Sequence, residues 1–340
     1  MDIELSGIKP MDFLEWLYFE QFPGDIKKTW KQQFKTNRVD FTCSAVFAAD
    51  IFNTVSKSFL EELRLRSFGD ILPEPLYQVI REKYEAGRAA GILNAPNDNV
   101  NPKVMPHIYN FNRYTMSEMK AKNKELFQQK MRLPVEPDVP LFFWPNRLYY
   151  QKAPDILVRH IPYFLSRYPL QIAVVASGDR IYEQSLRQLA RQYPRLAFYP
   201  FDEALSNLGK AGADYILMPS RYEPCGLPQM EGMRFATLPV VRATGGLKDT
   251  VEHLNAAQNT GNGFVFEILD KAGLEFGVRE ALAFYALPSE IRNAQLQRVM
   301  SQSKRKFNLR NTARSYMNLY NILLQEKTGT PLGDHVMYHI

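Results

Sequence analysis

The sequence predicts an α/β protein built on one doubly wound parallel sheet. Three observations carry this. From residue 141 onward, short apolar, β-branched runs alternate with amphipathic helical segments, the pattern of successive βαβ units. The connections between them are short, as in compact α/β sheets. Before them, "PVEPDVP" (134–140) packs three prolines into seven residues, a candidate domain boundary.

The elements follow in order. The first 40 residues are aromatic-rich and irregular and do not read as a regular βα unit. Ala45 to Ala49 form an apolar helix or helix end, and "IFNTVS" reads as a strand. Ser56 is placed to cap the helix "KSFLEELRLR". "AGILN" reads as a strand leading into a turn-rich loop, and residues 120–133 as a polar helix. Past the prolines come the strands "LFFWPNRL", "LQIAVVASGD", "LAFYPF", "DYILMPS", "LPVVRA" and "GNGFVFE". The helical segments "APDILVRHIPYFLSRY", "IYEQSLRQLARQY", "DEALSNLGKAG", "GLPQMEGMRFA", "GLKDTVEHL" and "KAGLEFGVREALAFYA" follow them in turn.

Composition bounds the function. Apolar residues make up 45% and charged residues 23%, an ordinary globular balance. Two cysteines, Cys43 and Cys225, offer no disulfide framework and no metal spacing, which fits a reduced compartment. No run of about 18 apolar residues marks a membrane span. The N-terminus has no secretory pattern, so a cytoplasmic location is expected. The net charge of +6 is compatible with an anionic ligand. Its cations are spread along helical segments and no nucleic-acid motif accompanies them, so nucleic-acid binding is not expected.

In a doubly wound sheet, ligands sit beyond the carboxyl ends of the strands. Arg147 and Lys152 follow one strand, five residues apart. Two such cations can bind a diphosphate, or they are surface charges flanking a helix start. Thr244, Gly245, Gly246 and Leu247 join a strand to a helix; the glycines would let the backbone approach an anion, or make an ordinary turn. Glu223 ends another strand. It could hydrogen-bond sugar hydroxyls, or interact with a helix dipole. Cys225 is either a thiol activated near a helix N-terminus or a small buried residue. Phe201 could stack on a base, or belong to the core. Jointly these residues indicate an anionic ligand, a nucleotide foremost.

The stretch "PSRYEPCGLPQMEGMRFATLPVVRATGGLKDTV" closely resembles the signature region of the bacterial glycogen synthase and plant starch synthase family, retaining glucosyltransferases of the GT-B fold. "NRLYYQKAPDIL" resembles the family's Arg-Leu-x-x-Gln-Lys-Gly segment, with Ala153 in place of the glycine. "VVASGD" resembles its Gly-x-Gly-Asp turn, with Ala176 at the first glycine. "AADIFNTVSKSFLEEL" is similar to its Ala-Asp-x-x-x-Thr-Val-Ser segment. "GILNAPNDNVNP" stands where the family has Leu-Asn-Gly-Ile-Asp, and "KFNLRNTARSYMNLY" resembles the C-terminal helix that crosses back to the first domain. The similarity runs from about residue 40 to residue 325.

The resemblance implies a complete Rossmann-like donor domain over 138–305, a partial N-terminal, acceptor-side domain over 1–137, and a crossing helix and tail over 306–340. It implies transfer of glucose from ADP-glucose to the non-reducing 4-OH of an α-1,4-glucan, with retention and with no metal or other cofactor. Arg147 and Lys152 would bind the donor diphosphate and Glu223 the donor glucose. Cys225, Gly226 and Leu227, with Thr244 to Leu247, would line the glucose and phosphate site, and Phe201 would lie beside the adenine. The family also carries a Lys-x-Gly-Gly-Leu loop and a His-Asn segment. None of the five histidines has that context. "CSAV", Cys43 to Val46, stands where a second Lys-Ala-Gly-Leu segment is expected. Two functions follow as expectations. One is a glucosyltransferase impaired as this chain alone, with a further N-terminal segment supplied separately or lost. The other is a non-catalytic nucleotide- or glucan-binding or regulatory relative. A GT-B transferase with another donor or acceptor ranks behind both.

Overall fold

The computed structural model describes residues 2–4, 24, 28, 38–69 and 72–328. They fall into two compact units, one of the described residues up to Ile92 and from Tyr320, the other Leu93–Leu319.

In the first unit, β1 (Asp2–Glu4) pairs antiparallel with β2 (Arg38–Asp40), which runs into α1 (Phe41–Ala48). β3 (Phe52–Thr54) pairs in parallel with β4 (Ala89–Gly91). Between them lie α2 (Lys57–Arg64) and α3 (Glu74–Glu85). Ser56 caps α2 as its sequence position suggests: its Oγ accepts from Phe59 N at 3.1 Å, satisfying one free N–H of the first turn. Leu60 and Leu63 of α2 meet Leu76 and Ile80 of α3, and Cys43 of α1, in one apolar cluster.

The second unit opens with α4 (Met116–Met131). It continues as β5 (Leu141–Trp144), α5 (Pro154–Arg167), β6 (Gln171–Val175), α6 (Arg180–Gln192), β7 (Leu196–Tyr199) and α7 (Glu203–Gly212). Its second half is β8 (Tyr215–Met218), α8 (Pro228–Arg234), β9 (Leu238–Arg242), α9 (Gly245–Thr250), β10 (Phe264–Phe266), α10 (Lys271–Tyr285) and α11 (Ser289–Lys306). The final helix, α12 (Leu309–Thr328), begins here. All six strands pair in parallel, in the order β7-β6-β5-β8-β9-β10. The expected doubly wound sheet is therefore present, with each half growing outward from β5 and β8. Every residue of β5, β6 and β8 is buried, which is why these strands read as continuous apolar runs rather than alternating ones.

The compact division falls at 92/93 and 319/320, not beside the prolines or at 305/306. Side chains from both sides pin the segment 134–140 inside the second unit. Lys124 Nζ of α4 donates to Pro137 O at 2.9 Å and to Asp214 at 2.7 Å. Gln128 Nε2 donates to Glu136 O, and Gln171 Nε2 of β6 to Pro134 O. At the other end, Arg234 Nη2 donates to Phe307 O, and Thr312 Oγ1 to Leu93 O. α9 also stops at Thr250, short of the helix "GLKDTVEHL". His253 and Asn255 turn instead to bridge Gly263 and Thr260.

Candidate functional site

The strand order reverses between β5 and β8. At such a switch point the two following connections diverge to opposite faces and leave a crevice at the carboxyl ends. β5 delivers Asn146, Arg147 and Lys152 there, and β8 delivers Ser220 to Glu223.

Lys152 and Glu223 meet across this point in an ion pair, their side chains only 12% and 5% exposed. A second donor, Ser220 Oγ, reaches the same carboxylate oxygen at 3.1 Å. Lys152 ends a single 3-10 turn, Tyr150–Lys152. Ala153 after it adopts φ 54°, ψ 47°, left-handed backbone that suits the glycine of the resembling segment better than an alanine. The two loops are laced together. Arg221 N donates to Gln151 O at 2.8 Å and Gln151 Nε2 to Tyr222 O at 3.2 Å. Arg221 makes a bidentate pair with Asp155 at 2.7 and 2.6 Å and lies over the Tyr150 ring. The guanidinium beside it holds the Asp155 carboxyl below the usual range. The Arg221 guanidinium is thus engaged in bracing the two loops that carry Lys152 and Glu223. Arg242, at the end of β9, donates to Arg221 O at 2.6 Å.

Gly246 of the glycine pair joins the two loops locally. Gly246 N donates to Glu223 O at 2.8 Å, while Leu247 N and Lys248 N both turn to Thr244 O. A Cβ on Gly246 would fall on the Cys225 backbone. The glycine is therefore required for close approach of two main chains. Gln229 Nε2 ties this junction from below, donating to Cys225 O, Gly226 O and Thr250 Oγ1. Thr250 Oγ1 donates in turn to Gly246 O at 2.6 Å.

Cys225 is the small buried residue of the two readings: it is 6% exposed, and burial pushes its thiol up to about 11. A protonated, enclosed thiol is not a nucleophile at neutral pH. Gly226 takes φ 72° in the turn before α8, and Leu227 is partly exposed at its start. Arg147 is exposed and touches the Tyr149 ring, 5.9 Å from its centroid. Its side chain makes no hydrogen bond or ion pair among the described residues. Phe201 is 61% exposed beyond β7, held through its backbone N to Ser177 Oγ at 2.9 Å; it is not a core aromatic.

The structure thus joins Lys152, Glu223, Cys225 and Gly246 through direct contacts, and leaves Arg147 and Phe201 at the rim of the same sheet edge. The sequence reading missed Asp155, Ser220, Gln229 and Thr250. Only their three-dimensional partners distinguish them, because Asp155 and Arg221 lie 66 residues apart. Asn146, just past β5, is buried with its Nδ2 unpartnered, a donor that still needs an acceptor. Among the described residues no group of three His, Cys, Asp or Glu side chains is arranged to hold a metal ion. No helix among them is long and apolar enough to cross a membrane.

Comparison with known proteins agrees with this geometry. Residues 126–298 match the family model for glycosyl transferases group 1. A glycogen synthase of Fervidobacterium nodosum is 38% identical over 252 residues, covering 73% of this chain and 50% of its own. A glycogen synthase of Streptococcus pneumoniae is 36% identical over 293 residues, covering 85% and 59%. Among solved structures, the catalytic domain of starch synthase IV from Arabidopsis thaliana bound to ADP and acarbose matches with a TM-score of 0.75 at 28% identity. It covers 84% of this chain and 58% of that one. The chain spans about half the length of the curated relatives it matches. With its Rossmann-ordered sheet and its signature residues at the switch point, the chain belongs to the group 1 glycosyltransferases, in the GT-B glycogen and starch synthase family.

Proposed function

We propose that this chain carries the donor half of a glucosyltransferase that moves glucose from ADP-glucose to the non-reducing end of an α-1,4-glucan, with retention. The observation that carries this reading is the enclosed Lys152–Glu223 pair spanning the reversal of strand order, walled by the Cys225–Gly246 junction. A carboxylate already compensated by a lysine can accept hydrogen bonds from sugar hydroxyls without carrying a full uncompensated charge into the crevice. Lys152 then lies where the sugar–phosphate bond would break, and exposed Arg147 supplies a second cation for the departing diphosphate. Such charge stabilisation, together with positioning, is the main protein contribution to this kind of transfer. Phe201 presents an exposed ring for the base. Cys225 to Leu227 and Thr244 to Leu247 line the glucose and phosphate side of the crevice, with the amides of Thr244, Gly246 and Leu247 engaged internally.

In this reading the 340 residues bind ADP or ADP-glucose in the cytoplasm but transfer glucose weakly or not at all by themselves. The sequence holds no Lys-x-Gly-Gly-Leu loop and no His-Asn segment to close over the donor. Calorimetry with ADP and UDP, and radiolabelled ADP-glucose with glycogen, test both halves of the statement. ADP binding that weakens at least tenfold in Lys152→Ala and in Arg147→Ala is the expected result. No ADP binding, or indifference to both substitutions, would overturn the donor site. Robust glucan labelling by this chain alone would overturn the impairment.

A further inference from the structure

A second cavity lies within the Leu93–Leu319 unit, separate from the crevice just described. It measures about 680 Å³ and is formed by the loop after residue 97, the end of α8, the end of α11 and the start of α12. None of the candidate donor-site residues lines it. Its charged lining is one-sided: Lys103, Arg234, Lys304, Arg305, Arg310 and Arg314 face a single carboxylate, Asp98.

Five of these six cations, all but Arg234, are exposed and have no ion pair or side-chain hydrogen bond among the described residues. Like charges brought together around one concavity repel one another and raise a local positive potential. Lys304 and Arg305 end a helix, where the dipole favours cations; Arg310 opens the next helix, where the dipole opposes one. Helix-end electrostatics therefore account for two of them and not for the others.

The floor of the cavity is built, not incidental. Arg234 is 6% exposed and is clamped by the carbonyls of Pro96, Asn97, Val100 and Phe307. Its Nε remains buried without an acceptor. A buried unpaired donor on a guanidinium is costly, and native structures rarely leave one without a reason. The amide-bearing Asn101, Asn308 and Asn311 also line the space. The volume falls in the range of small-molecule sites, about 300–1,000 Å³.

We propose that this cavity is a binding site for a compact anion carrying two or more phosphate groups, either a phosphorylated sugar or a free polyphosphate. The excess of cations over carboxylates calls for several negative charges, and guanidinium groups match phosphate oxygens through their planar donor forks.

The test is calorimetry on the whole chain at fixed ionic strength, with inorganic tripolyphosphate and hexose bisphosphate as probes and sulfate at matched ionic strength as competitor. The variant is the triple substitution Arg305→Ala, Arg310→Ala, Arg314→Ala, whose exposed side chains make no ion pair or hydrogen bond among the described residues. It is expected to bind either probe at least tenfold more weakly than the wild-type chain. A control triple Arg159→Ala, Arg191→Ala, Arg279→Ala of equal charge change is expected to stay within about twofold of wild type. Tighter binding of the hexose bisphosphate assigns the sugar source, and tighter binding of tripolyphosphate the free polyphosphate. The proposal is overturned if wild type binds neither probe, if sulfate displaces them equally well, or if the control triple weakens binding as much as the cavity triple.

Discussion

Gly246→Ala tests the junction that holds Glu223. The added methyl would lie 2.5 Å from the Cys225 carbonyl carbon and nearer still to Cys225 Cα and O. Ordinary carbon contacts start at about 3.5 Å, so the two main chains must part by about 1 Å. Both sides are backbone, and no flexible side chain can yield instead. The displacement strains or breaks the 2.8 Å bond from Gly246 N to Glu223 O, worth about 1 kcal/mol. Overpacking adds about 1–3 kcal/mol. The sum, about 2–4 kcal/mol, corresponds to a fall of roughly 4–16 °C in the midpoint of a unit of this size. Because Glu223 moves with the loop, ADP affinity should drop at least tenfold as well. Differential scanning calorimetry and ADP titration read the two effects separately. An unchanged midpoint with unchanged ADP affinity would refute the close-approach argument. A lowered midpoint with unchanged affinity would confine the glycine to a structural role.

Other consequences follow from the same contacts. Lys152→Met and Glu223→Gln each strand a buried partner, at about 3 kcal/mol or more, and the double variant should recover about 1–3 kcal/mol of the summed loss; additivity within about 0.5 kcal/mol would deny the pair. Lys120 donates to Ala213 O and Thr237 Oγ1, both at 2.6 Å, and burial pushes its pKa down to about 7 from an ordinary 10.5. Between those two values the unfolded chain holds the proton that the folded chain releases, so stability rises with pH across this window. The thermal midpoint of wild type relative to Lys120→Met should therefore climb from pH 6.5 to pH 9, and a constant difference would contradict it. Asp155→Asn removes the bidentate partner of Arg221, whose side chain is 18% exposed. It should cost on the order of 1 kcal/mol, an effect that shrinks at high salt; a loss independent of salt would argue against a charge effect. Iodoacetamide at pH 7 should leave Cys225 unmodified in the folded chain, as mass spectrometry would show; rapid alkylation would mean that its thiol is neither enclosed nor protonated.

The parallel sheet and its order of elements were legible because both faces of β5, β6 and β8 are covered. Such strands must be apolar throughout, and "LFFW", "QIAVV" and "YILM" say so directly. The compact division does not follow the prolines, for a physical reason. Proline restricts local backbone, but domain limits depend on which side chains bond across a segment, and Lys124, Gln128 and Gln171 bond across this one. The site divided in the same way. Glu223, Lys152 and the glycine pair stood out because residue type at a strand end is a property of the chain itself. Their clasp did not, because Asp155–Arg221 and Gln229–Thr250 are pairings between distant segments with no local signature. The sequence by itself determined the family and the residues that reach the switch point. Only the tertiary structure decided that Gly246 serves the approach of two backbones and that Arg221 is held in a brace. Hydrogen bonds are satisfied in space, and a chain read residue by residue does not show which partner has already used a donor.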